Sequence, residues 1–130
     1  MIAIDNGLDE SIRIDTQATY LEAQSDPRAR RYVFAYTINI YNAGDEPAQL
    51  LTRHWLITDA DGRIQEVHGD GVIGEQPNIL PGESHTYSSG AIIETPVGTM
   101  EGRYGMITPA GTRFDAAIPV FRLAVPGVLN

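Results

Sequence analysis

Three glycines at a fixed spacing form the most recognisable chemical pattern in this chain. The stretch GDGVIG contains Gly69, Gly71 and Gly74 and satisfies the pattern G-x-G-x-x-G, which in dinucleotide-binding proteins lets the backbone approach a pyrophosphate at a helix N-terminus. No such helix is predicted, because Pro77 and Pro81 interrupt the residues that follow. Two interpretations stay open: the backbone amides bind the anion of a phosphorylated ligand, or the glycines serve turn geometry alone.

The histidines are the side chains with the most scope for metal binding. His54, His68 and His85 have a spacing that matches no ligand motif, so no metal site is predicted. The segment DADG at 59–62 resembles part of a calcium loop, but the remaining ligand positions are lacking and a tight hairpin explains both acids. His54 is expected at the sheet surface, on the face opposite Trp55.

A group of arginines follows a predicted turn. Arg28, Arg30 and Arg31 either cap that turn with solvated charge or form a contact point for an acidic partner or a phosphate. In the second interpretation Arg28 and Arg31 join His54 and the loop 68–77 in one partner surface. No catalytic residues are predicted, because the sequence has no G-x-S-x-G elbow and no other recognisable nucleophile arrangement.

Charge and composition narrow the classes of function. The 130 residues carry 17 acidic and 9 basic side chains, a net charge of −8, so general nucleic-acid binding is not expected. Cysteine is absent, which excludes disulfides and thiolate metal sites. No apolar run approaches the roughly 18 residues of a membrane span, and the first residues do not resemble a signal peptide. A cytoplasmic location is the default expectation.

Short strands with alternating apolar side chains must position these groups. The period of two and the turn residues between the runs predict an all-β chain, a two-layer antiparallel sandwich of the immunoglobulin or fibronectin type III kind with about seven strands. A small barrel is the alternative. Trp55 is predicted at the centre of the core. The predicted strands are Ser11–Leu21, Tyr32–Asn42, Gln49–Thr58, Arg63–Val67, Ser84–Ser89, Thr99–Thr108 and Thr112–Ile118.

The domain boundaries follow from the same pattern. Residues 1–10 are predicted as a flexible leader, residues 11–124 as a single domain, and residues 125–130 as a tail. The segment 68–81 is predicted to be a long loop with one short extended piece at Gly71–Ile73. Pro119 is predicted to place the residues that follow the last strand at a sheet edge.

Several segments, taken in order, resemble the bacterial ApaG proteins. They are RYVFAYTI at 31–38, RHWLITD at 53–59, GDGVIGEQP at 69–77 and GTMEGRY at 98–104. The resemblance covers about residues 10–124. Ala91 departs from it, because many members have cysteine at this point, so no thiol role is expected here.

The resemblance implies a fibronectin-type-III-like sandwich and a link to cobalt resistance and magnesium efflux. No established catalytic activity comes with the family, and the same domain is reused in eukaryotic proteins as a contact module. We therefore expect a non-catalytic binding module with a protein partner and no cofactor. The alternative is a phosphate or nucleotide binder that uses the loop 69–74. The oligomeric state stays open, and exposed edge strands are compatible with a dimer.

Overall fold

A computed structural model describes residues 7–128, which form eight strands and almost no helix. One helical turn, α1 (Leu8–Ser11), comes first, and two 3₁₀ turns lie between the first two strands. Within this part of the chain no helix is long and apolar enough to cross a membrane. The strands are β1 (Ile12–Tyr20), β2 (Tyr32–Asn42), β3 (Ala48–Asp59), β4 (Ile64–Asp70), β5 (Asn78–Ile79), β6 (Ser84–Ile93), β7 (Val97–Ile107) and β8 (Arg113–Ala124).

The strands form two antiparallel sheets. One sheet has the order β1-β2-β6, and the other has the order β4-β3-β7-β8 with the short β5 also paired to β3. The predicted all-β, two-layer antiparallel sandwich is confirmed, with eight strands where about seven were expected. The additional strand is β5, which lies in the segment predicted as a loop. The short extended piece was expected at Gly71–Ile73, but Gly71 and Ile73 have left-handed backbones. That the sandwich is specifically of the immunoglobulin or fibronectin type III kind stays a prediction.

Aromatic side chains from both sheets fill the space between the layers. Trp55 is 2% exposed, as expected for the centre of the core. Its ring centroid lies 5.4 Å from that of Tyr36 on the opposite sheet, 6.3 Å from Tyr104 and 6.0 Å from Phe121. Such tilted and edge-on contacts are favourable arrangements for aromatic pairs and hold the two layers in a fixed relation.

The strand β4 is longer than predicted. It was expected to end at Val67, but it continues to Asp70 because β3 still offers a partner as far as Thr52. Gly69 leaves room for the Arg53 side chain, since a Cβ at this position would lie 2.6 Å from Nη1 of Arg53. Residues 68–70 are therefore strand and not loop, which changes the surroundings of the glycine pattern.

Two bulges and three close approaches explain the glycines of β7. The register shifts between Leu50 and Thr52 in the β3–β7 pair and between Met100 and Gly102 in the β7–β8 pair. A Cβ at Gly102 would lie 2.0 Å from the His54 carbonyl oxygen. Glycines inside a strand are typical of bulges and of close backbone approaches, and both occur here.

The first and last described elements are α1 and β8. Leu8 in α1 packs against the core, so the last residues of the predicted leader contact the domain. The final strand passes through Pro119 at the edge of its sheet and ends at Ala124. Residues 1–6 and 129–130 lie outside the described residues, and the proposed leader and tail are otherwise untested.

Candidate functional site

The outer face of the five-stranded sheet brings three side chains with acid–base and ligand chemistry together. His54 on β3 is the register partner of His68 on β4. Glu66 lies two residues before His68, and since side chains alternate along a strand, both project from the same face. Trp55, the neighbour of His54, is buried in the core, so His54 points outwards as predicted. We call these three residues the His–Glu cluster.

The pattern of backbone hydrogen bonds between β3 and β4 explains why the rings of His54 and His68 are so close. The Gly71 amide donates to the Leu51 carbonyl, 2.8 Å away, at one end of the β3–β4 ladder, and the Asp59 amide donates to the Arg63 carbonyl, 3.0 Å away, at the other. Hydrogen-bonded pairs alternate along an antiparallel ladder, so His54 and His68 form a pair without backbone bonds, whose side chains are closest. Their rings stack with centroids 4.1 Å apart.

Both imidazoles point the same nitrogen at one carboxylate oxygen. Nε2 of His54 lies 2.7 Å from Oε2 of Glu66, and Nε2 of His68 lies 3.1 Å from the same oxygen. The hydrogen bond from His54, which has the larger effect, and the one from His68 hold the pKa of Glu66 below its ordinary value. The side chain of His54 is 13% exposed, whereas those of Glu66 and His68 are 54% and 64% exposed.

One atom of the cluster lacks a partner. Nδ1 of His54 is buried and has no hydrogen-bond partner among the described residues. An unpaired buried polar atom costs free energy, so this ring is held in place by its stacking and by Glu66 and not by a bond on its other side.

A shallow cavity of about 350 Å³ adjoins the two histidines. It is lined by side chains of both signs, and Nε of Arg103 lies 3.7 Å from Oδ2 of Asp115. Gly105 forms part of its wall, where a Cβ would lie 2.3 Å from Oγ1 of Thr52. The cavity is open and polar, which suits recognition of a surface or a small ionic group better than an apolar ligand.

The glycine pattern divides between a strand and a tight turn. Gly69 belongs to β4, whereas Gly71 (φ 63°) and Gly74 (φ 74°) have left-handed backbones. The Val72 and Glu75 amides donate to each other's carbonyl oxygens at 2.8 and 3.0 Å, and the Gly71 amide donates to Leu51. These three amides are used within the protein, so the turn-geometry interpretation is the one that the contacts favour.

Arg53 anchors this turn, a role that the sequence did not indicate. Its Nη1 donates to the carbonyl oxygens of Asp70 and Gly71, each 3.0 Å away. The guanidinium occupies the space that a side chain at Gly69 would need. The first two glycines of the pattern are thus explained by packing against one arginine and by the turn.

The residues of the predicted partner surface lie at different places along the β3–β4 hairpin. His54 lies beside His68 and near the loop 68–77, as expected. Arg28 and Arg31 are exposed at the other end of the sandwich, where their neighbour Arg30 forms an ion pair with Asp61 in the β3–β4 turn (2.9 Å). Five residues of β3 separate that turn from His54, a distance of about 16 Å. Arg28 and Arg31 therefore lie apart from the His–Glu cluster, and a partner surface that includes both arginines and His54 stays a prediction.

Glu66 is the site residue that the sequence reasoning missed. The hairpin turn between Asp59 and Arg63 was predicted, and counting outward from it places His68 opposite His54. Glu66 then shares the face of His68 by the alternation of a strand. The signal was available, but β4 was expected to end before His68.

Comparison with known proteins identifies the family. The family model described as the ApaG domain matches residues 22–108. "Protein ApaG" of Pseudomonas aeruginosa (strain LESB58) is 59% identical over 120 residues, which cover 92% of this chain and 94% of that protein. "Protein ApaG" of Shewanella sp. (strain MR-4) is 50% identical over 125 residues, which cover 96% and 99%. A crystal structure described as an ApaA protein from Bordetella pertussis is similar with a TM-score of 0.87 and 45% identity, over 90% of this chain and 95% of that one. The chain belongs to the ApaG domain family.

Proposed function

We infer that the protein is a non-catalytic binding module that acts in the cytoplasm through a protein partner and serves cobalt and magnesium homeostasis. Membership of the ApaG family supports the biological setting, through the link that the resemblance implies. The observation that carries the binding role is the open edge of β4, which pairs with β3 on one side and is an edge strand on the other. An exposed strand edge is a template for an additional strand from a partner.

The backbone of β4 is suited to such pairing. By the alternation set by the Gly71 and Asp59 hydrogen bonds, the amide and carbonyl groups of Ile64, Glu66 and His68 point away from β3. The residues of β4 are exposed or half-buried throughout. The side chain of Ile64 is apolar and the residue is 63% exposed, so a partner strand would find both hydrogen-bonding groups and an apolar contact at this edge.

We expect the substitution Ile64→Pro to reduce partner binding by more than about tenfold, because each lost backbone bond and apolar contact contributes on the order of 1 kcal/mol. Proline removes an outward amide and the exposed isoleucine. The substitution leaves the β3–β4 hydrogen bonds intact, because residue 64 is the first of an edge strand and its amide points away from β3. The measurement is affinity capture from the cell of origin, with the native gene deleted and the bound protein quantified by mass spectrometry.

Val120→Ser is the matched control, because Val120 is 59% exposed on the edge strand β8. It should capture as much partner as the parent chain. Equal capture by the folded Ile64→Pro variant would contradict a role for the β4 edge.

The phosphate-binding alternative leads to a separate expectation. ATP, GTP, diadenosine tetraphosphate and pyrophosphate should leave the melting temperature of the protein unchanged in a thermal-shift assay. The amides of Gly71, Val72 and Glu75 already donate within the protein, and the net charge of −8 disfavours anions. A ligand at 100 times its Kd would add about 2.7 kcal/mol of stability, so a clear rise with any of the four would support the phosphate-binding alternative.

A further inference from the structure

We propose that the His–Glu cluster is a binding site for a divalent transition-metal ion, with His54, Glu66 and His68 as its protein ligands. The spacing of these residues along the chain gave no reason to expect one. The fold supplies the reason, because a cross-strand pair and a neighbour two residues away bring three donors to one point of the outer face. The inference uses the side chains of Glu66 and His68, whereas the partner surface at the β4 edge uses their backbone groups, so each can be tested without the other.

The donor atoms lie close to the separations that an ion requires. The three atoms are all within 4.8 Å of one another, and Oε2 of Glu66 lies 2.7 and 3.1 Å from the two Nε2 atoms. Ligand atoms about 2.0–2.1 Å from a tetrahedral ion are about 3.3 Å apart. An ion would therefore take the place of the Nε2 protons that face Glu66, and each neutral ring would carry its proton on Nδ1. Only small movements of the side chains are needed, because the sheet fixes their backbone positions.

The donor set selects the class of metal. Two neutral imidazoles and one carboxylate form the combination that binds zinc and its neighbours in the transition series. Mg²⁺ and Ca²⁺ prefer oxygen ligands throughout and should bind poorly here. Glu66 and His68 are more than half exposed, so water would complete the coordination.

The surroundings of His54 determine the affinity that we expect for the metal ion. A metal-bound histidine normally donates its other ring N–H to an acceptor, and loss of that second contact costs about 10- to 100-fold in affinity. Nδ1 of His54 has no partner among the described residues. We therefore expect micromolar rather than nanomolar affinity for Zn²⁺.

The test is calorimetric titration of the untagged, chelator-treated full chain with ZnCl₂ near neutral pH. The parent chain should bind one ion. The variants His68→Gln and Glu66→Gln should each lose more than about tenfold in affinity. His85→Gln is the matched control, because His85 lies on β6 in the other sheet, and it should bind as the parent does. Absence of a one-to-one site, or equal affinity of His68→Gln and the parent, would overturn the proposal.

Nuclear magnetic resonance provides a readout at the level of the residues. The chain has three histidines, so Zn²⁺ should shift the imidazole C–H signals of His54 and His68 and leave those of His85 in place. The same shifts should be absent with Mg²⁺ at equal concentration. Shifts confined to His85, or spread over all three rings, would show that the ion binds elsewhere.

Discussion

Replacing Gly102 by alanine is expected to lower the free energy of unfolding by about 3 kcal/mol. A Cβ at this position would lie 2.0 Å from the His54 carbonyl oxygen and 3.2 Å from Cα of Trp55. Both atoms belong to the backbone of β3, which has hydrogen-bonded neighbours on both sides. The backbone cannot move away without breaking one of these ladders, so a single methyl group forces the sheet apart beside the central tryptophan.

Gly90 provides the matched control for this prediction. It lies in a strand, as Gly102 does, but a Cβ there would lie 3.5 Å from the Phe34 carbonyl oxygen, an ordinary contact. Gly90→Ala should leave stability unchanged or raise it by up to about 1 kcal/mol, because alanine loses less conformational freedom on folding. Urea unfolding measures both variants. Equal stability of the two would show that β3 and β7 are not as close as described.

The sheet architecture could be predicted from alternation, whereas the exact ends of strands could not. The runs 32–42 and 49–58 show a clear period of two, and their strands lie where expected. The end of β4 depends on whether a partner strand is present opposite residues 68–70, which is a long-range property. A glycine such as Gly69 is typical of a loop, but here its small size serves the packing of Arg53 from the neighbouring strand.

The same distinction applies to the candidate sites. The glycine pattern is conspicuous in the sequence, yet the contacts of Gly71, Val72 and Glu75 are internal to a turn. The His–Glu cluster is inconspicuous, because its members are separated by up to fourteen positions along the chain and meet only across a hairpin. Sequence spacing finds ligand sets on one helix or in one loop more readily than sets that a ladder brings together.

The turn that determines this register depends on one buried carboxylate. Oδ1 of Asp59 accepts hydrogen bonds from the backbone amides of Asp61 and Arg63, at 2.9 and 3.0 Å, and Oδ2 accepts one from Nε of Arg63 at 3.1 Å. Burial alone would raise the pKa of Asp59, but the bonds from Arg63 and Asp61 outweigh it and hold the pKa below 3.8. The ionised form is thus the one that the fold favours.

Asp59→Ala is accordingly expected to lower the free energy of unfolding by about 2–3 kcal/mol at neutral pH, because it leaves two turn amides without their charged acceptor. Asp61→Ala is the control, because the side chain of Asp61 is 53% exposed and forms exposed ion pairs with Arg30 and Arg63. This substitution should lower the free energy of unfolding by about 0.5 kcal/mol or less.

The effect of Asp59 should also depend on pH in a defined direction. A carboxyl group with a lowered folded-state pKa stabilises the protein fully above its unfolded value and loses this contribution as pH falls through the folded value. The difference in unfolding free energy between the parent and Asp59→Ala should therefore stay constant down to about pH 5 and narrow below 3.8. Urea unfolding across this range gives the profile. A difference that does not change with pH would mean that Asp59 supports the turn by its shape and not by its charge.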